Sequence, residues 1–300
     1  MACNYPVRAY RLNSGEIVFD TKAGYDIIRY LHVPCGQCLG CKLERSRQWA
    51  VRCMLEASLY ESNCFITLTY NDENLPDLKS LEYGTFQLFM KRLRKKYTGK
   101  KIRFYMCGEY GDEMERPHFH ACLFNHSFED QVYFKTTKSG SKLYTSKILD
   151  ALWQYKGFTT IGEVNFDSAA YVARYIMKKA NGRGSSINYQ VTDQETGEVL
   201  YREKEFNKMS LNPGIGKGWF DKWKTDVFPE DIVVVKGRSM KPPKYFYLKL
   251  KESDPEMHEE VAWLREQKAN ENWEDNTEER LITKEIVLDA KLNMFGRELK

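Results

Sequence analysis

The sequence predicts an α+β fold in which helices pack on a mostly antiparallel sheet. Three observations carry that prediction. Short runs such as CFITLTY (64–70) are rich in β-branched and aromatic residues. Longer runs between them carry apolar stripes at helical spacing. The order is strand–helix–strand–strand–helix–strand–helix, with only GDEMERP, a hairpin-like connection, between the strands IRFYMCGEY (102–110) and HFHACLF (118–124).

Residues 1–41 read as irregular and hold four of the eight cysteines. KLERSRQWAVRCMLEASLYE (42–61) has the pattern of an amphipathic helix that buries Trp49, Cys53 and Leu55. CFITLTY ends at the turn formers Asn71 and Asp72. In TFQLFMKRLRKKY (85–97), Phe86, Phe89, Met90, Leu93 and Tyr97 form the apolar stripe of a second helix. SKILDALWQYKG (146–157) reads as a helix and FTTIGEV (158–164) as a strand. DSAAYVARYIMKKANG (167–182) is a helix that Asp167 or Ser168 can cap and Gly182 can end. Further on, 187–206 can fold as a hairpin turning at Glu195-Thr196-Gly197. NPGIGKGWF (212–220) is a glycine-rich loop without the P-loop spacing, PEDIVVVKG holds one strand, and 255–270 is a helix. Three segments follow: a Cys-rich segment and helix (1–62), a core (63–182) and an accessory region (183–300).

A chain of 300 residues that is 42% hydrophobic and 29% charged can bury a core, which excludes the disordered class. No run of about 18 apolar residues exists to span a membrane, and the first residues lack an apolar signal core. A cytoplasmic location is expected, where cysteines serve as thiols or metal ligands. Net charge is only +4, but it is unevenly placed: residues 91–103 carry eight Lys or Arg and no acid, and 251–280 carry eleven Asp or Glu against four Lys or Arg. Lys91, Arg92, Arg94, Lys95 and Lys96 therefore offer a cationic face to a phosphate backbone, although such a run also serves as a plain solvated helix face.

His118 and His120 alternate with Phe119, so a strand puts both imidazoles on one face. If 102–110 pairs antiparallel with 118–124, Glu109 returns beside them. Two nitrogens, one oxygen and open positions suit a catalytic cation; the bland alternative is a pair of hydrogen-bonded histidines. On the helix 167–182, Tyr171, Tyr175 and Lys178 share one stripe, with Arg174 at its margin, and Val172, Ala173, Ile176, Met177 and Ala180 supply the packing side. Phenol ionises near pH 10, so a neighbouring cation and an ammonium would assist it as a nucleophile. Separately, Cys35, Cys38 and Cys41 form C-x2-C-x2-C, with Cys3 or His32 as a fourth ligand, a spacing that suits structural zinc or an iron–sulfur cluster.

FITLTY, GEYGDEMERPHFHACLF and YVARYIMKK occur in the order and spacing of the three motifs of HUH endonucleases, the rolling-circle initiators. More closely, the chain resembles the replication initiation proteins of Microviridae, the small single-stranded DNA phages, in their gokushovirus branch. The likeness runs from Cys3 to about Trp219 and includes VPCGQCLGCKLERSRQWAVRC and NPGIGKGWF. It implies an HUH core of ferredoxin- or RRM-like type, His118, His120 and Glu109 as ligands of Mg²⁺ or Mn²⁺, and Tyr171 and Tyr175 as paired nucleophiles. It implies Lys178 as the assisting base, with Lys179 next in line. Arg174 stands where some relatives have lysine, and a guanidinium cannot act as a base. The implied partners are single-stranded or melted origin DNA and a host helicase and polymerase, in the cytoplasm of a bacterial host. Two other readings compete: a zinc-containing nucleic-acid-binding module without catalysis, and an HUH transposase or relaxase.

Overall fold

The computed structural model describes residues 3–22, 24–111, 115–137, 139–178, 189–192 and 197–294, with backbone alone over 174–178. Strands β1 (Val7–Leu12), β2 (Ile17–Val18) and β3 (Ile27–Val33) precede helix α1 (Leu39–Ala57). Strand β4 (Asn63–Thr69) and helix α2 (Tyr83–Lys96) follow. Next come β5 (Arg103–Tyr110), β6 (Pro117–Phe124), β7 (Val132–Thr136), β8 (Lys142–Thr145), α3 (Lys147–Leu152), β9 (Thr159–Gly162) and α4 (Phe166–Lys178). The chain continues through β10 (Gln190–Thr192), β11 (Val199–Tyr201), β12 (Phe206–Met209), α5 (Lys217–Trp223), β13 (Val233–Val235) and β14 (Arg238–Met240). Helices α6 (Lys244–Ser253), α7 (Pro255–Glu271) and α8 (Glu278–Met294) follow.

Two units emerge, residues 1–47 with 259–300, and residues 48–258. The chain-order segments 1–62, 63–182 and 183–300 are divided differently. Ala50, Cys53 and Ala57 of α1 pack on the main sheet, and β12 joins that sheet as an edge strand.

In the first unit, residues read as irregular form an antiparallel sheet of order β2-β1-β3. The signal is hidden because Ala9 is the one fully buried side chain of β1, while β3 alternates between half-buried and exposed. Arg29 pairs with Glu266 at 2.5 Å, and Asn4 Nδ2 donates to Leu281 O at 3.4 Å.

In the second unit the described strands form an antiparallel sheet of order β12-β5-β6-β4-β9-β8-β7. The α+β class is thus observed, with the β7–β8 hairpin extending the sheet beyond the strands read from sequence. On one face Phe86, Phe89, Met90 and Leu93 of α2 meet Ile66, Leu68, Phe104, Met106, Phe119 and Leu123. Phe119 is fully buried and lies 5.8–6.2 Å from the rings of Phe86, Trp153 and Tyr70. The opposite face carries Tyr105, Cys107, Cys122 and Phe124, covered by α1 and by Ala169, Ala170, Val172 and Ala173 of α4. Small side chains let α4 lie close to the strands.

The residue that caps α4 is neither Asp167 nor Ser168 but Asn165. Its Oδ1 accepts from Ser168 N at 2.9 Å while Ser168 Oγ accepts from Asn165 N at 2.9 Å, a reciprocal capping box. Gly182, read as its end, lies outside the described residues. The helix read over 146–157 stops early, because Gln154 and Tyr155 turn left-handed at φ 61° and 53°.

NPGIGKGWF is a structural wedge. Buried Glu56 pairs with Arg103 at 2.5 Å and accepts from Gly216 N at 2.7 Å, and Arg103 also donates to Pro213 O at 2.7 Å. Arg52 Nε donates to Ile215 O at 3.0 Å. A Cβ on Gly214 would lie 2.5 Å from Tyr245 Oη, so only glycine fits. Removing one member of the ion pair strands a buried charge, at about 3–5 kcal/mol.

Candidate active site

Register assembles the site. In the β5–β6 pair Glu109 is opposite His118 and Cys107 opposite His120; in the β4–β6 pair Thr69 is opposite His118 and Thr67 opposite His120. Side chains alternate along each strand, so Glu109, His118, His120, Phe65, Thr67 and Thr69 share the face that carries α4.

Glu109 Oε1 lies 2.6 Å from His118 Nε2 and 2.9 Å from His120 Nε2, and the three ligand atoms fall within 4.8 Å of one another. Each imidazole is oriented through its other nitrogen. His118 Nδ1 is 3.0 Å from Arg116 O, and His120 Nδ1 is 2.9 Å from Thr67 Oγ1. Phe65 stacks on His120 at 5.6 Å. A carbonyl only accepts, so a neutral His118 carries its proton on Nδ1 and turns the Nε2 lone pair toward the carboxylate. Two acceptors at 2.6 Å require a proton or a cation between them. Glu109 Oε2 is also buried with no hydrogen-bond partner among the described residues. This donor set fits a divalent cation, with orienting partners of the kind metal-binding histidines use.

Burial opposes ionisation of Glu109, but the hydrogen bonds and charge of His118 and His120 outweigh it and hold the carboxyl below its usual range. Burial pushes the His120 imidazole down, against the pull of Glu109. An anionic carboxylate beside a neutral imidazole is the protonation state that binds metal.

Tyr171 reaches this cluster from α4. Its hydroxyl donates to Glu109 Oε1 at 3.1 Å, and its ring meets His120 edge-on at 5.0 Å. The backbone of α4 continues through Arg174, Tyr175 and Lys178, whose side chains lie outside the described residues, as does all of Lys179. Tyr175 follows Tyr171 by one helical turn, which puts both on one face.

The basic residues of α2 are not brought to this site. Helix α2 packs on the other face of the sheet. Arg92 donates to Leu152 O at 2.8 Å and Arg94 to Ile102 O at 3.0 Å, so both guanidinium groups fasten the fold. Lys91, Lys95 and Lys96 are exposed there. Thr67 and Phe65 escaped the sequence reading. Pairing FITLTY against HFHACLF would have found them, since both belong to the face that holds the histidines.

In the first unit the sulfurs of Cys3, Cys35, Cys38 and Cys41 lie within 4.8 Å of one another. Cys3 and Cys38 are 3.8 Å apart, close to the edge of about 3.8 Å in a zinc–sulfur tetrahedron. Backbone N–H groups point at sulfur: Cys35 to Cys3 at 3.2 Å, Cys38 to Cys35 at 3.3 Å and Asn4 to Cys38 at 3.3 Å. Burial resists ionisation of Cys38, yet the N–H groups of Asn4 and Cys41 and the neighbouring thiols bring it down to about 7. Burial raises Cys3 and Cys41. His32 is exposed on β3 and stands outside the four-sulfur group.

The family model for replication-associated protein ORF2 and its phage counterparts matches residues 63–180. Replication-associated protein VP4 of Bdellovibrio phage phiMH2K is 32% identical over 265 residues, 85% of this chain and 79% of that protein. Replication-associated protein ORF2 of Spiroplasma virus 4 is 34% identical over 271 residues, 82% of this chain and 79% of that protein. Replication-associated protein ORF4 of Chlamydia phage 1 is 34% identical over 49% of this chain and 38% of its own length. No solved structure matches. A sheet carrying a Glu-His-His cluster, a Cys-rich N-terminal segment and this similarity along most of its length identify the chain as a member of the replication-associated proteins of Microviridae-like phages.

Proposed function

We propose that this protein initiates phage DNA replication by cutting one strand at the origin through tyrosine attack on a phosphate. The observation that carries this reading is the Tyr171 hydroxyl 3.1 Å from Glu109 Oε1, an oxygen itself 2.6 and 2.9 Å from two imidazole nitrogens. Nucleophile and cation site then meet at one phosphorus atom. The core, of HUH type, is assigned to residues 63–182, between a Cys-rich segment (1–62) and an accessory region (183–300).

Glu109, His118 and His120 would hold Mg²⁺ or Mn²⁺, which when bound supplies Lewis-acid polarisation of the scissile phosphate and fixes its orientation. Glu109 meanwhile accepts from the Tyr171 hydroxyl and aims it. Lys178 takes the phenolic proton, a bond forms between Tyr171 Oη and phosphorus, and the bond from phosphorus to the 3′ oxygen breaks. That oxygen takes up a proton and leaves as a 3′-hydroxyl, and the phosphate stays on the protein as a 5′-phosphotyrosine. No water is consumed, so a 3′-hydroxyl can later attack the phosphotyrosine and reseal the strand. Tyr175 provides the second cut that a complete circle requires. Arg174 contacts the backbone of the bound strand. The substrate is single-stranded or melted origin DNA, the partners are a host helicase and polymerase, and the place is the cytoplasm of the bacterial host. Among the described residues no helix is long and apolar enough to cross a membrane. Cys3, Cys35, Cys38 and Cys41 hold a structural Zn²⁺.

The test is incubation with origin-containing single-stranded DNA and Mn²⁺, followed by denaturing electrophoresis. A denaturation-resistant adduct is expected, reduced in Tyr171→Phe and in Tyr175→Phe and absent from the double variant. An adduct that persists in the double variant overturns the nucleophile assignment, and DNA binding without any adduct supports the binding-module reading.

A further inference from the structure

The sheet face that carries Glu109, His118 and His120 continues toward β9, β8 and β7. Beyond His118 the next strand offers Thr69, and beyond Thr69 comes Phe158, whose carbonyl accepts from Thr69 N at 3.1 Å and Thr69 Oγ1 at 2.6 Å. Strands lie about 4.8 Å apart, so Phe158 sits about 10 Å from His118 along this row. Thr159 and Ile161 turn to the α2–α3 side, Thr159 donating to Asp150 at 2.6 Å. Alternation therefore turns Phe158 to the face of the histidines.

Phe158 is 52% exposed, and 5.3 Å from it lies the ring of Phe134, 46% exposed. Phe134 occupies a break in register between Tyr133 and Lys135, a bulge of the kind that re-aims side chains. Lys135 Nζ is 5.3 Å from the Phe134 ring centroid. The support beneath Phe158 is rigid. A Cβ on Gly157 would lie 2.5 Å from Thr69 O, Asn71 N donates to Lys156 O at 2.7 Å, and Trp153 Nε1 donates to Thr69 O at 2.7 Å. Residues 131–149 carry four lysines and no acid.

We propose that Phe158, Phe134 and Lys135 form a base-stacking track for the single strand that flanks the cut. Exposed rings present π-faces that any unpaired base can stack on, and the lysines of the hairpin complement its phosphates. A duplex keeps its bases stacked on one another and gains nothing from the rings. The track deepens the functional reading above and rests on it for the identity of the strand.

Its test is fluorescence anisotropy of a labelled single-stranded oligonucleotide on the full chain carrying Tyr171→Phe and Tyr175→Phe, so that no cleavage intervenes. Phe158→Ala and Phe134→Ala should each weaken binding about tenfold, while Phe158→Tyr and Phe134→Tyr retain it and duplex binding stays unchanged. Lys135→Gln should lower the slope of log affinity against log salt by about 0.7. Unchanged binding in both alanine variants, or equal loss in the tyrosine variants, overturns the track, and adduct formation by the unaltered chain then leaves the nicking reading standing. A chain that neither binds single strands nor forms an adduct overturns both.

Discussion

The two donor clusters are built on opposite plans. The four sulfurs of Cys3, Cys35, Cys38 and Cys41 come from loop and helix-start positions and are steadied by backbone N–H groups, so the protein itself supplies a full tetrahedron. Glu109, His118 and His120 come from two paired strands whose register exists without any metal, and three donors leave coordination positions open. A closed set of ligands from irregular chain contributes shape; an open set on a preformed sheet contributes chemistry. Taking the cation away should therefore have opposite consequences in the two units.

Chelation is the largest test of that contrast. In excess chelator the adduct should vanish, and Glu109→Gln should lower its yield at least about a hundredfold. Thermal melting of residues 48–258 should barely move in either case. Cys38→Ser comes next. Structural zinc in small peptides is worth about 10–16 kcal/mol, as much as the whole stability of a typical domain. Hydrogen exchange should therefore show lost protection over residues 3–47 in that variant, with residues 48–258 still protected. Protection that survives the serine would mean the sulfur cluster holds no structural ion.

How much of this could be read from sequence follows the strength of local periodicity. β4, β5, β6 and α2 have one apolar face each, and their spacing alone locates them within a few residues. The Glu-His-His set is legible because two short-range facts, an alternating pair and a hairpin, suffice to bring it together. β1 to β3 escape because so little of them is buried that no alternation survives. β7 escapes for the same reason, since every one of its side chains is exposed. Thr67 and the Arg116 carbonyl are invisible because they act through partners 53 and 2 residues away, which only pairing or a bent loop reveals. The basic run of α2 misleads in a different way. Its charge is legible, but which sheet face the helix covers depends on tertiary packing, and Arg92 and Arg94 end on backbone carbonyls.

A smaller effect probes the orienting layer. Thr67→Val keeps shape and removes the hydroxyl 2.9 Å from His120 Nδ1. Metal affinity measured by Mn²⁺ titration should fall about 10–100-fold, with melting little changed. The adduct yield should recover at saturating Mn²⁺. A variant that binds Mn²⁺ like the parent would show that sheet packing alone aims the imidazole.

The smallest effect contrasts the site histidines with His126, which lies fully buried between Tyr97 and Phe128, their ring centroids 4.5 and 4.6 Å away. Neither of its ring nitrogens has a hydrogen-bond partner among the described residues. Burial, helped by the charge of Lys100 and opposed by Glu129, brings its pKa down to about 4. An unfolded histidine titrates near pH 6.5, so between those values the unfolded chain binds a proton that the folded chain refuses. This contribution is fully present above about pH 6.5 and is lost as pH falls toward about 4. His126→Leu should shrink the difference in melting temperature between pH 7 and pH 5 by a few degrees and leave adduct formation at pH 7 intact. Glu109, held below its usual range by the two histidines, acts in the same sense but at lower pH, beneath the ordinary carboxylate range. A slope between pH 7 and pH 5 that survives His126→Leu would therefore belong to neither group as described, and would break the distinction between an imidazole buried without a partner and two held in place to bind an ion.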